Sequence, residues 1–260
     1  MARADAMDTI TSLMSPEVFL LCLAVAAFAG VIKGMVGFAM PMILVSGLGS
    51  IVGPELALAG LILPTVMTNG WQALRQGPAA AWESVKRFRV FLLIGFVMLM
   101  TSAQLVRVMP EELMLLLIGV PITIFALTQL MGKALVLPSA SLKVEAGIGA
   151  FAGFVGGFSG VWGPPTVAYL TALNTPKAEQ MRVQGVIYGL GAVALVAAHV
   201  ASGVFNRETA QFSAALLIPA GIGMFIGLKV QDRVDQATFR KATLAVLFIA
   251  GLNLVRRAVM

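Results

Sequence analysis

Gly153-Phe154-Val155-Gly156-Gly157-Phe158-Ser159-Gly160-Val161-Trp162-Gly163-Pro164-Pro165 places a glycine run and two prolines inside a segment apolar enough to sit in lipid. Glycine costs about 1 kcal/mol in a helix interior and proline about 3, so a plain helix through this stretch is excluded. In a bilayer the backbone groups freed by such a break must be satisfied by protein, water or ligand. Function is therefore sought here first.

Around this stretch the chain of 260 residues is 59% hydrophobic and 12% charged, with a mean hydropathy of +0.93. An ordinary soluble domain is about 25% charged. The apolar residues fall in blocks of about 20, the length that crosses a hydrocarbon core of about 30 Å as a helix. An all-α polytopic membrane protein follows. The net charge of +6 sits in loops and at the C-terminus, where it sets orientation and meets anionic headgroups of the lipid bilayer. No basic face for nucleic acid is present. The single cysteine, Cys22, excludes an intrachain disulfide and a cysteine metal site, and no metal or cofactor is expected. Residues 1–15 carry Arg3, Asp5 and Asp8 and no clear cleavage site, so a cleaved signal peptide is not expected.

Eight apolar blocks are read, at about 16–45, 54–74, 90–108, 113–130, 144–173, 178–204, 210–230 and 239–255. The longest polar interval, Met131 to Lys143, lies near the middle. Across it the chain repeats. Ala29-Gly30-Val31-Ile32-Lys33-Gly34-Met35-Val36-Gly37-Phe38-Ala39-Met40-Pro41 aligns with 152–164 at a constant offset, pairing three glycines, an alanine and a proline. The domain reading is an N-terminal repeat over 1–130, a linker over 131–143 and a C-terminal repeat over 144–260, together one transmembrane domain. The two motif blocks are too long for one straight span and too short for two, which leaves a broken helix or a short hairpin. If each goes in and comes back, Lys and Arg concentrate on one side and the repeats are inverted, as in secondary transporters with discontinuous helices. Parallel repeats stay open.

The pattern Gly-x-x-x-Gly-x-x-Gly followed by a small or proline-rich cluster, near the N-terminus and again past the midpoint, resembles the sulfite exporter TauE/SafE family over essentially the whole chain. The resemblance implies a transporter in the bacterial inner membrane for small sulfur-containing anions such as sulfite or organosulfonates, working without ATP. Trp162 and Pro164 stand where the family's second motif tends to have glycine.

An anion inside a bilayer needs donors whose desolvation the fold already covers, and a positive potential. Helix N-termini supply both. Gly34, Gly37, Gly157, Gly160 and Gly163 would let backbone approach a ligand, while Pro41, Pro164 and Pro165 suit first-turn positions. The competing reading of these glycines is close helix packing. Lys33 lies well inside an apolar run, which marks either an anion partner or a lysine snorkelling to water. Arg182, beside Gln184 and with Trp162 and Tyr188 as walls, is a candidate bidentate oxyanion ligand or a headgroup contact. Asn69 and Gln72, with Thr68 at helical spacing, line the path or glue helices. His199, the one histidine, is a weak proton-relay candidate for a coupling proton, Glu55 and Glu145 being at block edges.

The leading function is a secondary exporter of a small sulfur-containing anion, not an enzyme. A transporter or channel for another small anion such as a carboxylate is the alternative, and a structural membrane subunit a further one. Gly157-Phe158-Ser159-Gly160 also fits Gly-x-Ser-Gly, so an intramembrane serine protease with His199 as base is a remote alternative. A homo-oligomer is open.

Overall fold

The computed structural model describes residues 14–102, 110–133, 137, 141–159, 163–201 and 203–260, and these are all helix, turn and loop. In chain order the helices are α1 (Pro16–Val36), α2 (Met40–Val52), α3 (Pro54–Leu74), α4 (Pro78–Arg87), α5 (Arg89–Ser102), α6 (Glu111–Leu130), α7 (Leu142–Ser159), α8 (Gly163–Ala172), α9 (Lys177–Ala201), α10 (Arg207–Arg233) and α11 (Gln236–Val259). Four of the described helices are long and apolar enough to cross a membrane: Pro16–Val36, Lys177–Ala197, Arg207–Arg233 and Gln236–Val259. Shorter apolar helices, among them Met40–Val52 and Arg89–Ser102, accompany them.

Local chemistry sets the helix ends. Ser15 accepts the Val18 amide at 3.4 Å ahead of Pro16, a first-turn proline whose missing N–H costs nothing. Asn206 and Thr209 form a reciprocal capping box on α10. Asp235 caps α11 by accepting the Thr238 amide at 2.7 Å, and that hydrogen bond holds its carboxyl below the ordinary carboxylate range. A depressed folded-state pKa contributes stability above the ordinary value, lost as pH falls through the depressed one.

The first block does not run through as one helix. α1 stops at Val36 with Gly37 in the left-handed region (φ 85°), Ala39 is left-handed as well (φ 75°), and α2 opens at Met40 with Pro41 in its first turn. Gly37 donates its N–H to the Lys33 carbonyl, closing α1 as a left-handed cap, the conformation that glycine adopts without steric penalty. The starts of α3 and α9, at Pro54 and Lys177, stand at the offset seen in the motifs.

The chain divides into two compact units, Met1–Arg75 with Gly185–Val234, and Gln76–Gln184 with Asp235–Met260. In the first, α1, α2, α3 and α10 pack together around Cys22, Ala26, Met40, Leu44, Leu61, Phe212 and Leu216. Lipid removes the hydrophobic drive between helices, so close approach must hold them. At the α1/α10 contact a Cβ on Gly30 would lie 2.2 Å from the Ala220 carbonyl oxygen, and one on Gly227 2.1 Å from that of Val31. Gly227→Ala should therefore cost about 1–3 kcal/mol through overpacking, read as a lowered unfolding temperature in detergent. In the second unit α6 packs on α11 and α5 on α7, where a Cβ on Gly153 would sit 2.0 Å from the Gly95 carbonyl oxygen.

Pro64 interrupts α3 in the middle. Lacking an N–H, it leaves the carbonyl four residues back unpaired within the helix. Ser213 of α10 repairs this: its hydroxyl donates to the Gly60 carbonyl at 2.9 Å and accepts the Leu63 amide at 3.0 Å. Ser213→Ala strands both groups and should destabilise the protein by about 1–3 kcal/mol, visible in thermal unfolding.

Candidate functional site

Three contacts in the first unit tie the α1/α2 interruption to successive positions of α3. Lys33, in the last turn of α1, donates from Nζ to Asn69 Oδ1 at 2.5 Å. One turn on, Gln72 Nε2 donates to the carbonyl of Gly37 at 3.1 Å. On the adjoining face Thr68 Oγ1 lies 3.6 Å from the sulfur of Met40, the first residue of α2, and donates to the Pro64 carbonyl at 2.5 Å. Gln72 stands three positions after Asn69 and four after Thr68, so it neighbours both on the helix surface while Thr68 and Asn69 occupy adjoining faces. What they meet is the turn between α1 and α2, where Gly37 and Ala39 are both left-handed.

The electrostatics are one-sided. Lys33 is 1% exposed, and Asn69, Gln72 and Thr68 are buried with it. Arg75 pairs with Asp232 at 2.6 Å and Arg87 with Glu179, and neither pair involves Lys33. The partner of Lys33 is a neutral amide oxygen. α2 begins seven positions later with no side-chain cap, so the positive end of its dipole belongs to the same segment. A buried ammonium with neutral partners and an uncapped helix start favour an anion, and the described residues hold no group of His, Cys, Asp and Glu suited to a metal ion.

The other expected site residues divide. Gly37 and Pro41 belong to the interruption. Gly34 serves packing, because a Cβ there would lie 2.3 Å from the Met224 carbonyl oxygen of α10. Tyr188 is buried on the stretch of α9 in the first unit, near Gly189, where a Cβ would contact Asn69 at 3.8 Å. Gly163 and buried Pro164 belong to α8 in the second unit. Gly157 falls in α7, with its surroundings outside the described residues, and Gly160 and Trp162 lie outside them altogether.

Arg182 and Gln184 belong to the second unit. The Arg182 guanidinium is engaged by protein, donating to Ser84 Oγ at 2.8 Å and to Gln76 Oε1. Gln184 is fully buried in α9. His199 directs Nδ1 at the Leu195 carbonyl of its own helix, at 2.9 Å. Glu145, read from the sequence as lying at a block edge, is buried and accepts the Phe91 amide in the first turn of α5 at 3.1 Å. It thereby caps that helix from a neighbouring one, a role no local pattern announces.

Thr65 was not among the expected residues. Its buried hydroxyl, one turn before Asn69, has no hydrogen-bond partner among the described residues. A threonine at i−4 from Asn69 was the available signal.

The family model described as sulfite exporter TauE/SafE matches residues 22–254. No curated protein and no solved structure matches the chain.

Proposed function

Because this chain belongs to the sulfite exporter TauE/SafE family, whose members are membrane anion exporters, we propose that it is a secondary transporter of a small sulfur-containing anion such as sulfite or an organosulfonate, in the inner membrane of a bacterium. The family and the long apolar helices make it a multi-pass membrane protein. The proposed mechanism is alternating access around glycine- and proline-interrupted helices, in a chain built from two repeats. The motif alignment, with the starts of α3 and α9 at the same offset, supports that duplication.

One observation carries the substrate assignment: Lys33 is buried against Asn69, with no carboxylate as its partner among the described residues. A lone buried cation is expensive unless a counter-ion joins it. The proposed binding residues are Lys33, Asn69 and Gln72, with Gly37, Pro41 and Tyr188 around them. In the second unit, Gly163 and Pro164 belong to the corresponding helix. A cation carrier would need buried carboxylates in this place, and the buried Glu145 is already occupied with the α5 amide.

The test is flux of labelled sulfite, methanesulfonate and formate into liposomes holding the purified full chain, with and without a pH gradient. Accelerated flux of sulfite or the sulfonate is expected. Flux of formate alone would move the assignment to carboxylates, and no flux of any anion would overturn the transporter reading.

A further inference from the structure

We propose that the site in the first unit selects singly charged oxyanions over doubly charged ones, because Lys33 is the one cation it offers. This rests on the anion-transporter reading above and concerns the charge of the cargo.

The inference comes from counting buried charge. Of the described residues of this unit, those with buried polar or charged side chains are Lys33, Thr65, Thr68, Asn69, Gln72, Ser213 and Gln231, so Lys33 is the one ionisable group among them. The unit's other described cations are placed elsewhere. Arg75 is paired with Asp232, while Arg207, Lys229 and Arg233 are exposed. Along the α1/α10 contact that carries Lys33, glycines of each helix meet the backbone of the other: Gly30 and Gly34 face Ala220 and Met224, and Gly223 and Gly227 face Ala27 and Val31. α2 contains no ionisable residue, and α3 contributes amides and hydroxyls.

A monoanion seated beside Lys33 leaves the pair neutral, and the amide of Asn69 with the α2 start can meet the remaining oxygens. A dianion leaves one negative charge with no buried partner. The start of α2 supplies about half an elementary charge, which lessens that deficit without closing it. Charge buried without a partner costs far more than a neutral hydrogen bond gains, so the second charge acts as a rejection element.

The full chain in liposomes would be assayed with anions whose charge is constant across neutral pH: methanesulfonate as the monoanion, and sulfate and ethane-1,2-disulfonate as dianions. Methanesulfonate should be carried about tenfold faster or more than either dianion. Comparable rates for sulfate or the disulfonate would overturn the inference while leaving the transporter reading intact. If no anion is carried, both fall. Thr65→Lys, placing a second cation one turn from Asn69, should shift the rate ratio toward sulfate by about tenfold. An unchanged ratio in the folded variant counts against the inference, and the wild-type comparison decides the matter should that variant not fold.

Discussion

Replacing Lys33 with glutamine should lower anion flux by about 100-fold, as expected for losing a buried charged contact of about 3 kcal/mol. Glutamine, one atom shorter along the chain, keeps an N–H donor for the Asn69 contact while removing the charge. Stability should respond in the opposite direction. In the absence of anion, Lys33 is a buried amino group whose partner is a neutral amide, so its removal takes away a desolvation cost. The variant should unfold at the same temperature as the wild type or higher. Flux in liposomes and thermal unfolding in detergent check the two halves separately. Wild-type flux would remove Lys33 from the site, and a fall in stability with flux would make it a structural residue.

Asn69→Asp is the second large effect. The side chains are nearly isosteric, and Asn69 Oδ1 already accepts from Lys33, so aspartate places a carboxylate where the neutral acceptor stood. It becomes a tethered counter-ion. Transport should drop to background because the ammonium is no longer available to a free anion. The diagnostic is ligand-induced stabilisation: an anion at a hundred times its Kd should raise wild-type stability by about 2.7 kcal/mol. Asn69→Asp should gain almost none, while unfolding at a temperature at least as high as the anion-free wild type. Anion-dependent stabilisation of wild-type size in this variant would show that Lys33 and Asn69 do not bind the cargo.

Much of the fold can be read along the chain because its causes are local. Helix formation in lipid is compulsory for spanning segments, so apolar length alone carries the all-α membrane assignment. The interruption after Val36 is legible for the same kind of reason: glycine and proline act on their own backbone. The spacing of Thr68, Asn69 and Gln72 marks a polar side of α3 before any partner is known. The partners themselves lie 36 and 35 residues away, at Lys33 and Gly37, and periodicity does not reach that far.

The same distinction separates the glycines. Gly37 is identified by its own φ angle, whereas Gly34 and Gly30 are small because of α10, nearly two hundred residues later in the chain. Arg182 illustrates the reverse case. Its position early in an apolar block suggests an anion ligand, yet the fold provides Ser84 and Gln76 as acceptors for its guanidinium. Glu145 and Ser213 were silent in the sequence because each completes the hydrogen bonding of another helix.

The sequence by itself determined that this is a helical membrane protein carrying two glycine motifs of matching spacing, and that spacing was enough to indicate its family. These follow from transfer energies and backbone preferences, which each residue carries with it. Only the tertiary structure decided which polar residues meet: that Lys33 is buried against Asn69, that Gln72 holds the turn at Gly37, and that Gly34 is consumed by packing. The physical reason is that burial and pairing are properties of two segments at once, and the electrostatic character of a site exists only after the helices that surround a charge have removed it from water.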